Sequence, residues 1–124
     1  MMDDRSEILQ LKIRFETLIY PCEKRWSGRR KVEAVDLSSS GMSFYCDQQL
    51  MQGERIEIVI PMMQYPLVLR AQILQVSQER DRWVYTVKFI ELCSEEEKLM
   101  NETIFSLQLK QHRQNKMKGK GVQP

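Results

Sequence analysis

A period of two constrains this chain more than any other feature. Residues 11–20 read LKIRFETLIY, in which Leu11, Ile13 and Phe15 alternate with Lys12, Arg14 and Glu16. Successive side chains of an extended strand point to opposite faces, so the pattern describes a strand with one buried face. It returns at Ile56, Ile58 and Ile60, at Leu67, Leu69, Ala71 and Ile73, and at Trp83, Tyr85, Val87 and Phe89. Residues 32–37 and 42–46 supply two shorter runs. The intervening segments carry turn chemistry: Gly28 in the basic stretch 22–31, SSSG at 38–41, Gln52-Gly53, Pro61, and the charged turn at 78–81, QERD. Six short strands joined by hairpin-length connections predict a small antiparallel barrel or sandwich. A barrel is favoured because closure leaves no sheet edge unpaired.

From residue 94 the period changes. Ser94 and Glu97 have the spacing of a capping box, and Glu95 to Glu97 place negative charge at the positive end of a helix dipole. Lys110, Arg113 and Lys116 fall near its negative end. The spacing predicts a helix from about 94 to about 113, with Met100, Ile104 and Leu107 as the stripe that covers the barrel. Phe105 and Leu109 fall on the far side, where they touch the barrel rim or offer a surface to a protein effector or a second copy of the chain. Three segments follow: residues 1–10 ahead of the barrel, 11–113 as barrel plus helix, and a disordered tail at 114–124.

At 124 residues with a net charge of +2, from 19 basic and 17 acidic side chains, the chain fits one domain and lacks the charge of a general nucleic-acid binder. Neither a DNA nor an RNA partner is expected. Cys22, Cys46 and Cys93 are odd in number and far apart, so no metal pair or disulfide framework is expected. The first residues are acidic, with no apolar run approaching the roughly 18 residues of a membrane span. A cytoplasmic protein without membrane insertion is the expectation. His112 is the one histidine and lies in the last predicted helical turn, where it complements the dipole. No P-loop, GxSxG or HExxH occurs, so binding rather than catalysis is expected, with no cofactor.

The most informative segment is 35–44, VDLSSSGMSF. Asp36 can accept from the N1–H and N2–H edge of a guanine, and Ser38 can donate to a phosphate or base oxygen. Gly41 lets the backbone turn and lets a ligand approach closely. The same residue types also build Asx- and Ser-stabilised turns. In its setting, between an apolar strand with a basic loop and a series of paired strands closed by an amphipathic helix, the segment resembles the PilZ domain family, whose signature includes D/N-x-S-x-x-G at this point. The resemblance runs from about Arg5 to about Arg113.

That resemblance implies a six-stranded antiparallel β-barrel with one C-terminal α-helix, and in many members a site for cyclic di-GMP. Asp36, Ser38 and Gly41 would form one half of the pocket. The other half in the family is an RxxxR pair just before the first strand. Its two positions fall here on Ser6 and Gln10, and Arg5, which often precedes the pair, remains. The implied ligand set is thus Arg5, Gln10, Asp36, Ser38 and Gly41. Losing two charge-assisted contacts removes about 1.5–3 kcal/mol each. A second RxxxR, Arg25 and Arg29 with Arg30 following, lies instead between the first two strands. It reads as a solvated hairpin tip, or as an accessory basic loop with Trp26 as an aromatic anchor for a partner.

Two functions follow: a cyclic di-GMP receptor that signals to a protein effector, or an adaptor acting through Trp26 or Phe105 and Leu109 without a ligand. The resemblance implies motility, adhesion or biofilm exopolysaccharide as the process served. The receptor reading requires the Asp36 corner to be open and to face residues 1–10.

Overall fold

The computed structural model describes residues 10–22, 28–61 and 66–121, with side chains as far as residue 113. Six strands precede one helix: β1 (Gln10–Pro21), β2 (Arg30–Ser38), β3 (Gly41–Cys46), β4 (Arg55–Ile60), β5 (Leu67–Glu79), β6 (Arg82–Ile90) and α1 (Ser94–Gly121). The strands are antiparallel in the order β1-β2-β3-β6-β5-β4, and pairing of Ile19 with Ile58 between β1 and β4 closes the barrel.

The alternating apolar residues point inward as expected. Ile19, Ala34, Phe44, Ile56, Ile58, Ile60, Ala71 and Tyr85 are fully buried. Burying a large side chain of this kind contributes about 1.5–3 kcal/mol. Tyr85 also holds the β3–β4 connection: its hydroxyl accepts from Leu50 N–H at 2.8 Å and donates to the Gln48 carbonyl at 3.0 Å. A bulge between Ile73 and Gln75 shifts the phase of β5. Leu74 stays on the outer face with Val68 and Arg70, and the extra residue brings Val76, out of step in the sequence, against the core.

Several boundaries differ from expectation. β5 continues to Glu79, so the turn into β6 is only Arg80-Asp81, with Arg80 at φ 60°. β2 begins at Arg30, inside the expected loop. The capping contact is shifted by one residue: Glu96 Oε1 accepts from Cys93 N–H at 3.1 Å, making Cys93 the cap in place of Ser94. The helix also continues past Arg113 to Gly121, through residues 114–118, QNKMK, which include good helix formers and no proline. The tail expected to be disordered from 114 is therefore helical over most of its length. α1 lies against β2 and sinks Met100 and Ile104 into the barrel core. No helix among the described residues is long and apolar enough to cross a membrane.

Gly41, the first residue of β3, pairs with Lys88 of β6. A Cβ at this position would lie 2.1 Å from the Val87 carbonyl oxygen, a backbone atom with no freedom to move aside. Gly41→Ala is expected to destabilise the fold by about 3 kcal/mol or more, read as a lower urea midpoint with an unchanged slope.

Candidate functional site

The end of β2 carries Asp36 beside a bulge in the β2–β3 ladder, between Ala34 and Asp36. Its Oδ1 accepts from Ser43 N–H of β3 at 2.9 Å. Its Oδ2 accepts from Gln10 Nε2 at 3.3 Å. Asp36 is 8% exposed and Ser38 9%. The open corner that the receptor reading requires is therefore not found: Asp36 and Ser38 are buried, although Asp36 does face the start of β1 through its bond from Gln10.

Ser38 organises the turn that follows. Its Oγ accepts from Ser40 N–H at 3.2 Å and Gly41 N–H at 3.1 Å, and donates to the Gly41 carbonyl at 3.1 Å. A hydroxyl offers one donor and two acceptor positions, and all three are used within the turn. The expected donation from Ser38 to a ligand would cost one of these bonds. Gly41 likewise serves a different purpose from the one expected: the space where its side chain would stand admits β6 rather than a ligand.

Beside this corner runs a cleft of about 560 Å³ between the start of β1 and α1, lined by Gln10, Lys12, Phe105, Leu109, Gln111 and His112 among others. Gln111 Nε2 donates to the Lys12 carbonyl at 2.8 Å and ties the two walls together. A second cleft joins Ser39 of the turn to Asn101, Glu102 and Phe105 of α1. Phe105 and Leu109 are 57% and 42% exposed. The two apolar residues read from the helix pattern as a separate partner surface thus stand next to Gln10. Lys12, the register partner of Asp36 on β1, is exposed and lines the same cleft, yet no motif distinguishes it.

Arg5, Arg25 and Trp26 lie outside the described residues. Arg29 is exposed, and Arg30 Nε donates to Gln48 Oε1 at 2.9 Å. Arg30 opens β2 and Asp36 lies near its end, about 20 Å along the strand. Arg29 and Arg30 therefore do not converge with Asp36 on one pocket. The structure brings together Gln10, Asp36 and Ser38, with Gly41 beneath them.

A second cluster, invisible in the sequence, spans the outer faces of β1, β2, β3 and β6. Arg14 and Arg82 both bond Glu33, at 3.1 Å and 2.9 Å, and the Arg82 guanidinium lies 3.9 Å from the centroid of the Tyr45 ring. Tyr45 in turn donates to Glu79. The hydrogen bonds from Arg82 and then Arg14 hold the Glu33 carboxyl below its ordinary value of 4.5. Among the described residues no group of His, Cys, Asp and Glu could hold a metal ion.

The PilZ domain family matches residues 5–106. No curated protein sequence matches the chain. Among solved structures, the fold is similar to the PilZ domain with cyclic di-GMP of YcgR from Escherichia coli, with TM-score 0.73 and 16% identity over 88% of this chain and 95% of that one. It is also similar to the inhibitor of motility MotI/DgrA of Bacillus subtilis, with TM-score 0.66 and 12% identity over 84% of this chain and 51% of that one. The PilZ domain of CeSA from a cellulose synthesizing bacterium gives 0.62 and 14% over 81% and 98%.

Ser38→Ala leaves the Ser40 and Gly41 N–H groups without their acceptor and is expected to destabilise the fold by about 1–3 kcal/mol in urea denaturation. Glu33 has a folded pKa below its unfolded value, so its stabilisation is present above pH 4.5 and lost as pH falls further. Glu33→Gln should therefore flatten the decline of the urea midpoint below pH 4.5.

Proposed function

Because the chain belongs to the PilZ family, we propose that it is a non-catalytic binding module that takes cyclic di-GMP at the Asp36 corner and passes the signal to a protein effector. The observation that carries this reading is the Gln10–Asp36 contact, which couples the start of β1 to the carboxylate. A carboxylate has about four acceptor positions, and among the described residues Asp36 accepts two hydrogen bonds, one of them the long bond from Gln10. A guanine N1–H/N2–H edge can replace Gln10 at Oδ2. Gln10 is then released to donate to the base, and Lys12 is the nearby cation for a phosphate. Displacing Gln10 moves the start of β1, which forms one wall of the cleft holding Phe105 and Leu109. An effector reads that change. The affinity is low, because neither Ser6 nor Gln10 supplies the charge of an arginine. Motility, the process that the B. subtilis protein is named for inhibiting, is the one we favour, with adhesion and exopolysaccharide output as the related ones.

A second reading, an adaptor that needs no nucleotide, is favoured by one specific observation: the Ser38 hydroxyl is fully engaged in its own turn. Titration calorimetry with cyclic di-GMP separates the two. The receptor reading expects measurable heat from the parent chain, loss of it in Asp36→Ala, and at least about a tenfold gain in Gln10→Arg, the return of one charge-assisted bond. Circular dichroism checks that each variant is folded. No heat from the parent or from Gln10→Arg at high micromolar nucleotide rejects the receptor reading in favour of the adaptor.

A further inference from the structure

α1 carries a stripe that its own barrel does not cover. Glu102, Phe105, Leu109 and His112 are spaced three, four and three residues apart, so they line one face of the helix. All four are exposed, whereas Met100 and Ile104 on the opposite face are buried. The stripe is symmetric about residue 107: two apolar side chains at its centre, a carboxylate at its N-terminal end, an imidazole at its C-terminal end. The surrounding charges follow the same division. Glu95, Glu96 and Glu97 open the helix, with Lys98 the one basic residue before Glu102, while Lys110 and Arg113 flank His112.

We infer that α1 is a self-association surface, on which a second copy of this chain docks its own α1 antiparallel, Phe105 against Leu109 and Glu102 against His112. Antiparallel pairing brings each helix's acidic first half onto the basic second half of the other, and it opposes the two dipoles. A parallel pair would instead set Glu102 on Glu102. The contact is isologous, since each copy offers the same projecting Phe105 and the same cleft between β1 and α1 to receive the other's. The pairing uses no cyclic di-GMP, so it is testable apart from the receptor reading, but it fills the Phe105 and Leu109 cleft that the effector would read, and dimer and effector exclude one another there.

Sedimentation equilibrium of the full chain without nucleotide tests it. The expected result is a mass rising across the micromolar range toward twice the 14.8 kDa of one chain. Phe105→Glu, at a site 57% exposed and checked by circular dichroism, should hold the mass at that of one chain. Glu102→Lys and His112→Glu should each weaken association about tenfold, and the double variant should restore it, because the swapped pair meets in antiparallel register alone. A parent chain that stays monomeric overturns the inference. So does association that survives Phe105→Glu, or a double swap that fails to rescue.

Discussion

The approach of β3 to β6 at Gly41 is the constraint on which the rest of the structure depends. These two strands are far apart in sequence, and their pairing, from Gly41 with Lys88 to Cys46 with Trp83, joins the first three strands to the last three. At its end the Ser40 carbonyl also accepts from Phe89 N–H at 2.8 Å. The hydrogen atom of glycine is the one side chain small enough to let the β2–β3 turn sit on the β6 backbone. Once that turn is seated, Ser38 closes it from within, and Asp36 fastens the bulge before it by bonding Ser43 N–H.

The residues of the D-x-S-x-x-G motif therefore have a structural duty in this chain that is complete without any ligand. Gly41 is consumed by packing and Ser38 by the turn, whereas Asp36 keeps spare acceptor capacity. This division of labour lets the corner keep its carboxylate, hydroxyl and glycine with Gln10, the first residue of β1, as its neighbour. Conversely, the polar group left with capacity is the one in contact with β1, so any nucleotide entering here must first move Gln10.

That same strand end forms one wall of the cleft whose other wall is α1. Anchoring by Met100 and Ile104 fixes the roll of the helix, and the roll decides that Phe105 and Leu109 face the solvent beside Gln10 rather than the far side of the barrel. The Asp36 corner and the exposed Phe105 and Leu109 are thus neighbours, and the Gln111–Lys12 bond ties the strand of one to the helix of the other. The basic residues Arg29 and Arg30 stand at the other end of β2 and belong to a different region of the molecule. On the outer wall, Arg14 and Arg82 share the one carboxylate of Glu33, which offsets one of their two positive charges.

The amino-acid sequence by itself determined the six strands, the helix after them and most of the core, because period two and period 3.6 follow from local backbone geometry. The family resemblance, carried by residues 36–41, identified the corner. What only the tertiary structure decided involves contacts between distant residues. The glycine at 41 is required by Val87, which lies 46 positions later. The phase of β5 changes at a bulge that exists only against its neighbours. Glu33 meets Arg82, and Gln10 meets Asp36, through strand register rather than spacing along the chain. The helix stripe was legible as apolar, but its place beside β1 was not, since periodicity gives a helix its faces and packing alone gives those faces their neighbours.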